Sequence, residues 1–156
     1  DGAAILSAMT YSFLGNRMWR DERGVNMLDS GAHFYDTYET KDGKWISIGS
    51  IEPQFYALLL EATGNKDDAD FAQQMNPGKW DELKQRLTDL FLTKTRDEWC
   101  AIMDSTDICF APVLSLTEAP EHPHNKARGT FVEAGGMIQP APAPRFSATP
   151  APKVSL

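Results

Sequence analysis

Apolar positions along the chain follow two different rhythms. Over residues 1–18, Ile5, Met9 and Phe13 recur every four residues, the spacing of one face of a helix. Ala3, Ala4, Ser7, Ala8 and Ser12 make a second face of small side chains, which lets another helix approach closely. The pattern predicts a docking helix rather than one surrounded by solvent. At Phe34-Tyr35-Asp36-Thr37-Tyr38-Glu39-Thr40 the rhythm changes to aromatic–polar alternation, and Trp45-Ile46-Ser47-Ile48-Gly49 follows after Lys41-Asp42-Gly43-Lys44. Asp-Gly between two aromatic and β-branched runs predicts a β-hairpin, because glycine accepts the positive φ of a tight turn.

Helical spacing then returns. Ser50 is placed to cap a helix with Pro53 in its first turn, an apolar stripe of Phe55, Leu58, Leu59 and Ala62, and Gly64 at its C-terminus. Trp80 to Leu92 reads as a second amphipathic helix with Trp80, Leu83, Leu87, Leu90 and Phe91 inward. Thr95-Arg96-Asp97-Glu98 is a capping box for a third, which carries Trp99, Ile102 and Met103. Residues 20–33 are polar and punctuated by glycine, so they read as a loop, and Lys66 to Gly78 reads as a polar connection. Pro112-Val113-Leu114-Ser115 is a short strand candidate, and Thr117 can cap one further turn. From Thr130 the chain is strand-like, then proline-rich at Pro140, Pro142, Pro144, Pro150 and Pro152. The predicted fold class is α+β: a leading helix and loop over 1–33, a hairpin-containing domain over 34–139, and an extended tail over 140–156.

Composition narrows the function classes. Fifteen basic residues against 22 acidic ones leave a net charge of −7, which argues against a nucleic-acid surface. The sequence has no run of 18 apolar residues to span a bilayer. Cys100 and Cys109 are too few for a disulfide scaffold and fit a reducing compartment. The final Val154-Ser155-Leu156 has the flavour of a peroxisomal address but departs from the usual tripeptide.

Common catalytic motifs are missing from the sequence: a phosphate loop, a nucleophile elbow, Cys-x-x-Cys and His-Glu-x-x-His. Cys100, Cys109, His122 and His124 match no familiar zinc spacing, so no metal site is expected. Cys100 is expected as a buried structural thiol, His122-Pro123-His124 as a polar surface turn, and His33 as solvent-exposed. Glu52 stands out, between Ile51 and Pro53 where strand meets helix. A carboxylate there favours the helix dipole. It equally occupies the kind of strand end where side chains enter a cleft and act on protons.

Two stretches resemble a known family. Gly24-Val25-Asn26-Met27-Leu28-Asp29-Ser30-Gly31-Ala32-His33-Phe34-Tyr35-Asp36-Thr37-Tyr38 and Ile51-Glu52-Pro53-Gln54-Phe55-Tyr56 are similar to α-methylacyl-CoA racemases, of the family III CoA-transferase superfamily. Trp99-Cys100, Thr106-Asp107-Ile108-Cys109 with Pro112-Val113-Leu114, and Pro142-Ala143-Pro144-Arg145-Phe146-Ser147 continue the likeness. The resemblance implies interlocked homodimers, each subunit having a large nucleotide-binding-like domain and a small α+β domain. The active site then lies between the large domain of one subunit and the small domain of the other. A His and an Asp of the large domain exchange the α-proton of a 2-methylacyl-CoA through an enolate, and a small-domain glutamate supports the His. Glu52 matches that glutamate. Met27, Leu28, Tyr35 and Ile51 match acyl-lining positions, and Met9 and Met18 extend them, although core packing explains each Met equally well.

The implied substrate is an acyl-CoA thioester, with no cofactor beyond its own CoA. The implied location is the cytoplasm of a bacterium, or the peroxisome or mitochondrion of a eukaryote. The large domain has no counterpart in this sequence, nor do its His–Asp pair and CoA-gripping basic residues. The chain is therefore expected to be the C-terminal small-domain portion, inactive alone. Two alternatives stay open: a family III CoA transferase, and a non-catalytic binding or assembly module.

Overall fold

The computed structural model describes residues 1–152. These residues contain five α-helices and two small antiparallel sheets, an α+β architecture as expected. The chain divides into two compact units, Asp1–Val113 and a second beginning at Leu114.

Helix α1 (Gly2–Gly15) opens the first unit, and Arg17 follows it at a left-handed φ of 59°. None of its residues is buried, and Ile5 and Leu6 are 76% and 83% exposed. The predicted docking is thus not made within the described residues: the rest of the unit closes its core without this helix.

The hairpin forms as expected from β1 (Tyr35–Glu39) and β2 (Trp45–Gly49), in register from Tyr35↔Gly49 to Glu39↔Trp45. Gly43 supplies the positive φ of 70° in the turn. Strand β3 (Phe110–Val113) pairs antiparallel with the other edge of β2, so β2 is central. This strand begins two residues before the predicted one. Cys109, at φ 60°, turns the chain toward β2, and its carbonyl accepts the Gly49 N–H at 2.9 Å.

Helix α2 (Pro53–Thr63) ends at Gly64, at φ 74°. Its buried residues are Tyr56, Leu59, Leu60 and Thr63, a face rotated from the expected Phe55–Leu58 stripe. The rotation brings the Tyr56 hydroxyl to a carbonyl inside the core. Ser50 is not the cap. It is fully buried, its hydroxyl donates to the Ile108 carbonyl, and Glu52 occupies the N-cap position without a side-chain capping bond.

Helices α3 (Trp80–Phe91) and α4 (Arg96–Met103) close the core. Trp80, Leu83, Leu87 and Phe91 point inward as predicted, whereas Leu90 is half-buried and Ile102 exposed. The Thr95–Glu98 capping box is made in both directions. Asp42 in the hairpin turn accepts from the Thr40 hydroxyl at 2.7 Å and from the Arg96 N–H at 3.0 Å, which ties turn to helix. The core gathers Phe34, Ile46, Leu59, Phe91, Trp99, Met103 and Ile108. Complete burial of one such side chain is worth about 1.5–3 kcal/mol.

The described residues of the second unit form a 3-10 turn, Ala119–Glu121, then α5 (Pro123–Arg128), which ends at Gly129. Pro123 sits in its first turn, where the missing N–H costs nothing. β4 (Phe131–Ala134) and β5 (Met137–Pro140) form a second hairpin about Gly135 and Gly136, both at positive φ. Strand character was expected here, but not this pairing. Val154-Ser155-Leu156 lies outside the described residues.

Candidate functional site

The junction of β2 and α2 is built by backbone hydrogen bonds. The Ser50 N–H donates to the Phe34 carbonyl at 3.0 Å, and the Ile51 N–H to the Gly49 carbonyl at 2.9 Å. Glu52 then stands in extended backbone at the helix start with its side chain exposed, and its carbonyl accepts from the Tyr56 N–H. The Cys109 thiol is pushed up by burial, with the nearby charges of Glu52 and Asp107 adding to the effect.

Beside the junction a groove of about 400 Å³ runs along the open face of the sheet, lined by Leu28, Tyr35, Asp36, Ile48, Gly49 and Cys109 among others. Lys84 of α3 pairs with Asp36 at 2.8 Å. A second, apolar hollow is formed by Phe13, Met18, Trp19, Met27 and Leu28.

Residues 20–31 reach these hollows because they are knotted around Asn26. Its buried side-chain amide donates to the carbonyls of Arg20 and Glu22 and to Asp29, and accepts from the Arg20 N–H at 2.7 Å. Burial pulls the Asp29 carboxyl upward, but bonds from Asn26, Gly24 and Gly31 outweigh it and hold the group below its ordinary value. Gly31 packs so tightly that a Cβ would stand 2.4 Å from the Asn26 carbonyl oxygen. Met27 and Leu28 lie between the two pinned residues.

The sequence-predicted site residues are therefore only partly gathered. Leu28 lines both hollows, Tyr35 the first and Met27 the second. Ile51 is half-buried against the core, and like Glu52 it lines neither hollow. Met18 joins the apolar hollow, while Met9 stands exposed on α1.

His33 overturns its expectation. It is fully buried, ringed edge-on by Phe34, Tyr56 and Phe71. The Tyr56 hydroxyl donates to the Phe71 carbonyl at 2.9 Å, so it accepts from the His33 Nε2–H at 2.8 Å. Nδ1 is buried without a hydrogen-bond partner. Burial, and then the charge of Lys84, push the imidazole pKa down to about 4. The ring is neutral at physiological pH and serves packing. Cys100 is half-buried rather than buried, and its thiol is pushed up by burial first and then by Asp104 and Asp97. Among the described residues, no three His, Cys, Asp or Glu side chains converge to hold a metal ion. No helix among them is long and apolar enough to cross a membrane.

The sequence profile of CoA-transferase family III matches residues 2–155. The chain belongs to that family. It is 44% identical over 152 residues to the alpha-methylacyl-CoA racemases of Mus musculus and Homo sapiens, covering 97% of this chain and 40% of each racemase. A CaiB/baiF CoA-transferase family protein of Caenorhabditis elegans is 35% identical over 111 residues, covering 71% of this chain and 31% of its own length. The chain thus spans well under half the length of the curated relatives it matches. A crystal structure of the hypothetical protein Rv3272 from Mycobacterium tuberculosis superimposes with a TM-score of 0.69. The superposition covers 96% of this chain and 40% of that one at 19% identity, a likeness of fold.

Proposed function

We propose that this chain is the small-domain part of an α-methylacyl-CoA racemase, which interconverts (R)- and (S)-2-methylacyl-CoA by α-proton exchange. The observation that carries the reading is the 44% identity to two racemases along 97% of the chain. The match includes the junction that sets Glu52 exposed at the start of α2. The reaction needs a base on one face of the α-carbon and an acid on the other, with the thioester oxygen stabilised while it carries enolate charge. One group removes the α-proton, and the opposite group returns a proton to the same carbon, so nothing is consumed. In this reading a His and an Asp from the remainder of the enzyme carry the protons. Glu52 supplies the carboxylate that orients the imidazole and favours its charged form. Met27, Leu28, Tyr35 and Ile51 line the acyl chain, and thioether side chains suit acyl groups of variable shape. The enzyme works as an interlocked homodimer, without a cofactor beyond the substrate's CoA, and the remainder covers the apolar surface of α1. This chain alone is inactive.

The test is α-proton exchange in deuterated buffer with a 2-methylacyl-CoA. Exchange is expected from the full-length enzyme and not from this chain alone. Glu52→Gln should lower full-length turnover at least tenfold, and unchanged turnover would remove Glu52 from the mechanism. The likeness to the Caenorhabditis elegans CoA-transferase family protein favours a second reading, transfer of CoA between acids. Exchange without any CoA acceptor rules for racemisation.

A further inference from the structure

The two peptides that lead into Glu52 are held by a residue 22 positions further along the chain. Gln74 lies in the polar connection between α2 and α3, half-buried, and its side-chain NH2 makes two bonds at once. It donates to the Ser50 carbonyl at 3.0 Å and to the Ile51 carbonyl at 2.9 Å. These are the two peptide groups on either side of Ile51, and the second leads directly into Glu52. Rotation about either peptide would swing the Cα–Cβ bond of Glu52. The amide is well matched to the task, because it offers two donors from one nitrogen without bringing a charge.

Gln74 is itself anchored. Its backbone carbonyl accepts from the indole N–H of Trp80 at 2.8 Å, and Trp80 is buried at the start of α3. On the opposite side, the buried Ser50 hydroxyl bonds to the Ile108 carbonyl. The turn that presents Glu52 is therefore gripped from two sides, by the α3 connection and by the approach to β3.

We infer that Gln74 is a positioning residue for Glu52: its doubly donating amide fixes the Ser50–Ile51 peptides and so aims the carboxylate. The inference rests on the role proposed for Glu52 above. Gln74 acts through the backbone, so its effect should appear in turnover rather than in substrate binding, and only while Glu52 is present.

The experiment is a double-mutant cycle in the full-length enzyme, with solvent-deuterium exchange of a 2-methylacyl-CoA as readout. Gln74→Met keeps the side-chain volume and removes both donors. It should lower kcat about tenfold to hundredfold, as misplacement of a reacting group does, with KM within about twofold. In the Glu52→Gln background the same substitution should cost nothing further. Equal losses in both backgrounds would mark Gln74 as a merely structural residue and overturn the inference, as would an unchanged kcat for Gln74→Met. If Glu52→Gln alone leaves turnover unchanged, the role of Glu52 falls first and takes this inference with it. Should Gln74→Met fold poorly, Gln74→Leu gives the same decision, since it also removes both donors without bringing a charge.

Discussion

Helices α1 and α3 are of similar length, 14 and 12 residues, and of opposite fate. The first contains no charged side chain, yet none of its residues is buried. The second carries Asp81, Glu82, Lys84, Arg86 and Asp89, yet it buries Trp80, Leu83, Leu87 and Phe91. Apolar content alone therefore does not indicate what a helix packs against. A charged face on one side of α3 specifies which side turns inward, and the fold closes on that stripe. Helix α1 lacks such a division, so it marks a surface rather than a core element of this unit. The proposed function assigns its cover to the rest of the enzyme.

The largest effect should come from the α3 side. Phe91→Ala removes a fully buried ring packed on Tyr38 and Trp99, and should cost about 3–5 kcal/mol by urea unfolding. A loss below 1 kcal/mol would mean that α3 is as dispensable to the core as α1.

An intermediate effect belongs to His33, which couples the same core to pH. Its folded pKa of about 4 lies below the unfolded value of about 6.5, so the unfolded chain binds the proton first. Stability should be complete above about pH 6.5 and fall by about 1.4 kcal/mol per unit toward pH 4, reaching a loss of about 2 kcal/mol by pH 5. His33→Gln should flatten that slope in denaturant titrations run across the window. An identical slope in both proteins would place the acid sensitivity elsewhere.

The smallest effect should be on α1. Leu6→Ser at an 83% exposed position should shift unfolding of the chain by no more than about 0.5 kcal/mol. Urea unfolding of the variant chain is the measurement, since the substitution trims only exposed apolar surface. A large loss of stability would show that α1 packs on its own unit after all.

How much of this was readable beforehand follows the locality of each signal. The first hairpin and the Thr95 cap were readable because Asp-Gly and Thr-x-x-Glu act within four residues. The Gly135-Gly136 hairpin carried an equally local signal, overshadowed by the prolines that follow it. Ser50 had two outlets for its hydroxyl, a helix N-terminus next to it and a carbonyl 58 residues away, and tertiary structure took the distant one. His33 looked exposed because polarity is a poor guide where a tyrosine hydroxyl waits inside the core. Glu52 drew notice through its position and through resemblance. Gln74 gave no warning, since its two bonds span 24 and 23 residues and follow no repeat.

The central place of β2 sets a schedule for biosynthesis. Ser47 and its partner Ala111 are 64 residues apart, so at about 5–20 residues per second β2 waits roughly 3–13 s for its second neighbour. Throughout that interval the growing chain offers an unpaired strand edge, the feature on which nascent chains join one another. Slower translation between Gly49 and Phe110 should therefore lower the yield of this protein, even though every residue of the finished fold is unchanged.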